Sequence, residues 1–490
     1  MILFAHFAVQ ARKIFLKINL NHPSWDKVIL SQSLFKVIIM NLPTDFINRM
    51  KAMLSEDYSA FEKAFFQGLP AKGVRVNTEK CKEIPSFLEN AEKVPWCNEG
   101  YYADTLNITG NHPYHMAGLL YFQEPSAMSV VSALNLQKGD YILDLCGAPG
   151  GKSTQAGIAL MGSGLLIANE IVPSRAKILA ENVTRMGLKN TIVTNESPEH
   201  LAERFPEFFD KIIVDAPCSG EGMFRKEPQA VTAWSINHTL SCSVRQQNIV
   251  DSALKMLKKG GRLIYSTCTF APCENEGICH YILENYPYMH LANTGLDMLS
   301  HGDEKYVQSP YDMSKTRRIF PHKNKGEGHF LAVFEKEGKE EKHNMEKPKK
   351  PSRELLDGIK LYKEFEKASL NITLEGSFAL FGENLYIIPE GISLDKIKAE
   401  LFGFHLGMCK KGRFEPSYAL ALALKAEDFK NIADFSPQSE TLHQYLLGNV
   451  IEGEVKGWCG ITCDGYPLGF AKGDGIRLKN HYPKHLRLKN

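Results

Sequence analysis

The sequence predicts an α/β fold, an open parallel sheet wrapped by helices, with smaller α+β regions on either side. Three observations lead there. Short apolar runs alternate with helical patterns through the middle of the chain. The first of these runs, residues 141–143, leads into DLCGAPGGKS (residues 144–153), a glycine-rich turn that opens a helix over residues 154–160. The residues with chemistry to offer then fall just beyond successive runs, at the carboxyl edge where such sheets bind ligands.

Size and composition set the frame. The chain has 490 residues, enough for roughly two to four domains, and 43% hydrophobic and 10% aromatic residues suffice for sizeable cores. A net charge of +2 excludes a globally basic nucleic-acid binder and leaves room for local basic patches. The eleven cysteines have no secreted-type spacing, and several lie in strand or turn contexts. Reduced thiols in a cytoplasm fit that pattern better than disulfides. No apolar run is long enough to span a bilayer, so no membrane partner is expected; the chain is also expected to be a monomer.

Residues 1–39 look unlike the rest, and residues 1–20 alternate apolar and basic side chains without a signal-peptide cleavage pattern. They are expected to be an upstream extension, with Met40 the natural start. Residues 40–122 form a small mixed region that opens with a helix after Leu42 and Pro43. It includes the strand GVRVNT (residues 73–78), where Arg75 and Asn77 alternate with Val74 and Val76 and are expected on a polar face.

Residues 123–337 hold the sheet. Strand-like runs cover residues 141–145, 165–169, 191–194, 211–214 and 262–266, with helices expected at 127–134, 173–186 and 246–257. Residues 338–354, charged and carrying two prolines, read as a linker. Beyond it a second globular part is expected, with an intermediate domain at 355–430 and a small β-barrel-like module at 431–490. Its tail clusters Lys472, Arg477, Lys479, Lys484, Arg487 and Lys489 around Tyr482, an interleaving that suits RNA.

The glycine-rich turn poses the question of its ligand. Gly151-Lys152-Ser153 ends like a phosphate-binding loop, but Cys146 stands where that motif needs glycine, and Pro149 breaks the dinucleotide pattern. Glu170, ending the second run, stands where an acid commonly accepts hydrogen bonds from ribose hydroxyls. An adenosine-containing cofactor with a cationic end is favoured, and S-adenosyl-L-methionine fits. Asp144 is a candidate to hydrogen-bond its amino-acid portion or to sit near its sulfonium.

Two cysteines fifty residues apart, Cys218 in DAPCSG and Cys268 in STCT, each follow a run and converge on one edge of the sheet. A metal half-site, with Cys273 and Cys279 as further ligands, a redox pair and inert buried thiols are all compatible with them. So is covalent catalysis. A thiolate that adds to carbon 6 of cytosine activates carbon 5 for methylation, which needs a reactive cysteine, a carboxyl for the base edge and help with release. Cys268, Asp215 and Cys218 supply those types, and Lys152 can stabilise a thiolate or contact the base.

These residues resemble the RNA cytosine-C5 methyltransferases of the NOL1/NOP2/Sun family. The likeness rests on DLCGAPGGKS (144–153), ANE (168–170), DAPCSGEG (215–222), YSTCT (265–269) and RRIFPHKNKGEGHFLAVF (317–334). RKEP (225–228) and FGFHLGMCKKGRFEPSYALALAL (402–424) look like the bacterial small-subunit rRNA branch. The resemblance implies a Rossmann-like S-adenosylmethionine domain, an N-terminal RNA-binding region and a C-terminal PUA-like module that holds RNA. It implies that Cys268 is the nucleophile and Cys218 promotes product release. It further implies that Cys146, Gly147, Ala148, Pro149, Gly150, Gly151, Lys152, Glu170 and Asp215 contact the cofactor or its surroundings, with no metal. The family usually has an acid after the third strand, near the adenine; here Ser197 stands there, with Glu196 beside it or a backbone N–H as the substitute. The expected partner is rRNA or the small ribosomal subunit. A tRNA substrate, or a non-catalytic role in ribosome assembly, is the alternative.

Overall fold

The computed structural model describes residues 42–81, 83–106, 108–339 and 350–489. The expected upstream extension and Met40 lie outside these ranges, as do residues 340–349 of the expected linker.

Helices α1 (Thr44–Leu54) and α2 (Tyr58–Gln67) open the described chain. Phe46 and Met50 of α1 pack with Phe61, Phe65, Phe224 and Trp234. β1 (Gly73–Val76), β2 (Gly100–Tyr102) and β3 (Leu120–Phe122) then form an antiparallel sheet with β1 in the middle.

The central sheet follows. β4 (Tyr141–Asp144), β5 (Leu165–Asn169), β6 (Thr191–Thr194), β7 (Phe209–Asp215) and β8 (Leu257–Thr267) run parallel, as the alternation predicts. β9 (Met289–Ala292), β10 (Ser300–His301), β11 (Arg317–Ile319) and β12 (His329–Lys336) extend it antiparallel beyond β8. The order is β10-β11-β12-β8-β7-β4-β5-β6, then a late strand β15 (Ala399–Phe402), with β9 also on β12. Chain order reverses around β4, so the loops after β4 and β7 part there and leave a crevice.

Both faces are covered, which is why the strands read as continuous apolar runs. α5 (Pro198–Arg204), α6 (Ile236–Met256) and α7 (Glu276–Asn285) pack on one face. α3 (Gly151–Ala159) and α4 (Pro173–Arg185) cover the other. α6 begins ten residues before the expected start at 246, because the Ser235 hydroxyl caps it by accepting from His238 N. Its first turns carry exposed Ile236, Leu240 and Val244, so no core-facing stripe marks them in the sequence.

α8 (Arg353–Ser369) starts inside the expected linker, where Ser352 Oγ accepts from Leu355 N at 3.2 Å. β13 (Ser377–Phe381), β14 (Asn384–Ile388), β16 (Phe404–Lys410) and β17 (Arg413–Pro416) form one sheet. The part beyond the linker is not separate from the central sheet: β15 (Ala399–Phe402) pairs antiparallel with β6, and Leu401 packs with Val193. It covers an edge that β6 would otherwise expose. After α9 (Tyr418–Ala423), a last sheet has the order β18 (Ile432–Phe435), β20 (Lys456–Cys463), β21 (Tyr466–Asp474), β22 (Arg477–Asn480), β19 (Ile451–Glu452), with α10 (Glu440–Leu447). Tyr482 is buried against the rings of Tyr418 and Tyr445, so it belongs to the core instead of alternating with the exposed lysines.

A buried ion pair fastens the N-terminal helices to the sheet. Arg225 Nε donates to Glu327 Oε2 at 2.7 Å, Arg225 Nη1 to Ala64 O at 3.0 Å, and Glu327 Oε1 accepts from Ala71 N at 2.8 Å. Arg225→Met removes the buried guanidinium from Glu327, leaving it Ala71 N and a more distant Lys226 at 3.9 Å, and should destabilise by about 3 kcal/mol in urea unfolding. Adding Glu327→Met should restore most of that loss.

Candidate active site

The turn after β4 is held from outside by its carbonyls. Ala148 O accepts from Arg175 Nη2 at 2.9 Å, Pro149 O from Asn182 Nδ2 at 2.8 Å, and Gly151 O from Arg75 Nη2 at 2.8 Å. Gly150 takes φ +114°, which glycine adopts without strain. Arg75 also donates to Thr154 Oγ1 at 2.9 Å and Gln123 Oε1 at 2.5 Å, and lies over the Tyr121 ring. The expected polar face of β1 is therefore no surface. Arg75 and Asn77 are completely buried, because α3 docks on one and the turn after α4 on the other, where Asn77 Nδ2 donates to Met186 O.

A cleft of about 1020 Å³ opens at the carboxyl edge of β4, β5, β7 and β8. Of the expected residues, Cys146, Gly147, Ala148, Pro149, Gly151, Lys152, Glu170, Asp215, Cys218 and Cys268 line it. Gly150 does not: it faces Leu179 and Asn182 behind the turn. Nor does Ser197, whose hydroxyl caps α5 by accepting from His200 N. Glu196 is no substitute, because Oε1 accepts from Lys398 N at 2.7 Å and Oε2 pairs with His200. Pro198 and Glu199 present that strand end to the cleft instead. Asp144 also sits behind the turn, fully buried, accepting from Ser153 Oγ at 2.6 Å; burial raises its carboxyl to about 7.

Lys152 Nζ and Asp215 Oδ2 lie 2.7 Å apart. Burial opposes both charges, but the pairing outweighs it, holding the ammonium above its ordinary range and the carboxyl below. Ser266 Oγ donates to Asp215 Oδ1 at 2.8 Å. His329 Nε2 is 3.8 Å from the same oxygen, and burial beside Lys152 lowers its pKa to about 3, so the ring is neutral. Cys218 Sγ and Cys268 Sγ are 3.4 Å apart. The hydrogen bond to Cys268, together with burial, pushes the Cys218 thiol well up, and burial does the same to Cys146. Cys279 is buried in α7 and Cys273 lines a different groove, so neither joins the pair.

Sequence reasoning missed Arg175, which bonds the turn and pairs with Glu170 Oε2 at 3.2 Å, and His329. His329 lies inside the quoted stretch 317–334 but carries no local signal, since only the antiparallel pairing of β12 with β8 brings it to the cleft.

Comparison with known proteins places this geometry. Residues 131–335 match the family described as 16S rRNA methyltransferase RsmB/F. Residues 42–125 match the N-terminal domain of 16S rRNA methyltransferase RsmF, 364–424 its first C-terminal domain and 433–488 its PUA domain. The ribosomal RNA small subunit methyltransferase F of Photobacterium profundum is 32% identical over 470 residues, covering 91% of this chain and 97% of that protein. The same-named Vibrio vulnificus protein is 30% identical over 473 residues, with the same coverage. The chain belongs to the small subunit methyltransferase F family. Among solved structures, a methyltransferase homolog protein from Pyrococcus horikoshii is 27% identical, with a TM-score of 0.54 over 61% of this chain and 97% of that one. NSun6 from the same organism, 21% identical over 61% of this chain and 99% of that one (TM-score 0.53), shares the fold.

As a member of the methyltransferase F family the chain is a methyltransferase whose cofactor is S-adenosyl-L-methionine. The cleft fits that group. Lys152, the cation that suggested phosphate, is neutralised by Asp215. Glu170 reaches the cleft with Oε1 accepting from Val172 N and Oε2 paired with Arg175, and each carboxylate oxygen has a second lone pair for a hydroxyl donor. Ile171, Val172 and Pro198 add an apolar wall, and a Cβ on Gly220 would meet nothing within 4 Å.

Asp144 makes the cofactor-free stability depend on pH. Its carboxyl rises from 3.8 to about 7 on folding, so the folded state holds the proton more tightly, and stability falls as pH rises between those values. Asp144→Asn should flatten this slope in urea titrations at pH 5 and pH 8, gaining on the order of 2 kcal/mol at the higher pH relative to the lower.

Proposed function

We propose that this chain methylates carbon 5 of a cytidine in small-subunit (16S) rRNA, in the cytoplasm, through a covalent bond between Cys268 and carbon 6. The observation that carries the reading is the 3.4 Å approach of two thiols beside an ionised aspartate in a cleft shared with the cofactor turn. Small-subunit RNA as the substrate is supported by the names of the relatives and by the PUA match over residues 433–488. Exposed Lys472, Arg477, Lys479, Lys484 and Lys489 give that part a basic surface for phosphates.

S-adenosyl-L-methionine, when bound, supplies an electrophilic methyl group on a sulfonium. The protein's part is to make carbon 5 nucleophilic. Cys268 gives its proton to solvent in the open cleft, and its sulfur adds to carbon 6, breaking the 5,6 double bond and moving electron density to carbon 5. Asp215, ionised and anchored by Lys152 and Ser266, accepts from the exocyclic amine of a flipped or single-stranded cytosine. Lys152 steadies the negative charge that moves into the ring. After methylation the carbon-5 proton leaves to water in the cleft, the electron pair of that bond re-forms the 5,6 double bond and the carbon 6–sulfur bond breaks, expelling the Cys268 thiolate. Cys218, held as a thiol beside the departing sulfur, promotes this step by donating to the thiolate that emerges.

Cys268→Ala should abolish methylation and form no adduct, whereas Cys218→Ala should accumulate a covalent protein–RNA species on denaturing gels; the reverse pattern would exchange the roles. Bisulfite sequencing of total RNA with and without the gene should show one or more cytidines of small-subunit RNA losing protection, and loss at tRNA sites alone would sink the rRNA reading. RNA affinity should fall steeply with salt in filter binding, by an order of magnitude or more between about 50 and 200 mM.

A further inference from the structure

Glu274 and Asn275 precede α7, are completely buried and do not line the cleft. Nothing in the reaction above uses them. Asn275 nevertheless bonds both neighbours of one cysteine, and Glu274 bonds one neighbour of the other directly and reaches the second through Gln246. Glu274 Oε2 accepts from Ser219 N at 2.9 Å and Oε1 from Ser219 Oγ at 2.5 Å. Gln246 Nε2 donates to Glu274 Oε2 at 3.0 Å and to Pro217 O at 3.1 Å. Pro217 and Ser219 flank Cys218. On the other side Asn275 Oδ1 accepts from Thr267 Oγ1 at 2.6 Å, and its Nδ2 donates to Thr269 O at 2.9 Å. Thr267 and Thr269 flank Cys268.

Two further bonds close the frame. Ser219 Oγ and Thr269 Oγ1 lie 2.8 Å apart, and Tyr265 OH donates to Glu274 O at 2.6 Å. A cysteine side chain has one rotatable bond to its sulfur, so backbone position sets where the sulfur lies. Two sulfurs on separate strand ends stay 3.4 Å apart only if both backbones are tied to a common part.

We propose that Glu274 and Asn275 form a two-residue template that sets the spacing of the cysteines, Glu274 positioning Cys218 for release and Asn275 positioning Cys268 for attack. The inference rests on the roles proposed above for the two thiols. Both are positioning residues, acting through loops they hold from beneath. A displacement of about 1 Å at a reacting group costs on the order of a hundredfold in rate, so small losses of register are visible.

Isosteric changes test it. Glu274→Gln turns one acceptor oxygen into an amide that faces the donors of Ser219 and Gln246, and Asn275→Asp turns the donor to Thr269 O into a second acceptor. With full-length protein, cofactor and small-subunit RNA, Glu274→Gln should lower kcat about 10–100-fold at unchanged KM for RNA and accumulate the adduct seen with Cys218→Ala. Combined with Cys218→Ala, it should change turnover by less than about twofold, because the two act on one step. Asn275→Asp should instead slow adduct formation, and should reduce the adduct that Cys218→Ala traps. Ser219→Ala, which removes one hydroxyl and leaves Glu274 in place, should show the Glu274→Gln signature at lower amplitude, so the outcome stands even if Glu274→Gln does not fold. Loss of activity in Glu274→Gln without adduct, a raised KM, or effects of Glu274→Gln and Cys218→Ala that multiply would overturn the template while Cys218→Ala still traps adduct. If Cys218→Ala itself traps none, the roles of the cysteines fail first and the template with them.

Discussion

The ion pair between Lys152 and Asp215 is the contact on which the rest of the cleft depends. It joins the start of α3 to the end of β7, so it spans the crevice where chain order reverses. By placing a lysine and a carboxylate together in a buried setting it cancels the positive charge that a glycine-rich turn ending in Gly-Lys-Ser offers to phosphate. It also keeps Asp215 ionised despite its burial. One contact therefore bears on both halves of the proposed chemistry, the preference for a cationic cofactor and the acceptor proposed for the base.

Around that pair, the turn is shaped by donors from outside the loop. Arg75 comes from the small N-terminal sheet, and Arg175 and Asn182 from α4, each taking one carbonyl. A turn with its carbonyls bound outward keeps a fixed shape whether or not a ligand is present, which is preorganisation in the ordinary sense. The N-terminal part is thus built into the glycine-rich turn as well as being a match to a named domain. The same economy recurs at the other end of the sheet, where β15 closes the edge of β6 and its neighbour Lys398 takes up the Glu196 carboxylate.

The two thiols make the complementary case. Their sulfurs touch, and Cys218 is held as a thiol by its partner and by burial. Beneath them lies a polar frame of Glu274, Asn275, Ser219, Thr269 and Gln246 in which each of these residues has a bonding partner. Buried polar networks of this kind favour one geometry over its neighbours, because any shift leaves a donor or acceptor without a partner.

The sequence by itself determined the parallel sheet, since strands covered on both faces must be apolar throughout and the helices between them amphipathic. It also determined which chemically able residues sit at the carboxyl edge, because Asp215, Cys218 and Cys268 each follow a run directly. It could not rank contacts between elements distant in the chain. Arg75 read as solvated because a four-residue strand carries no sign of what docks on it; Tyr482 read as an exposed stacking ring for the same reason. Ser197 and Asp144 read as cofactor contacts, and tertiary partners claimed both, a helix cap for one and Ser153 for the other. The pairing of Lys152 with Asp215, sixty-three residues apart, turned a phosphate-like loop into one wall of a methyl-transfer cleft. Local pattern decides what an element is. The partner that buries a polar group decides what it does, and that partner is chosen only when the chain closes on itself.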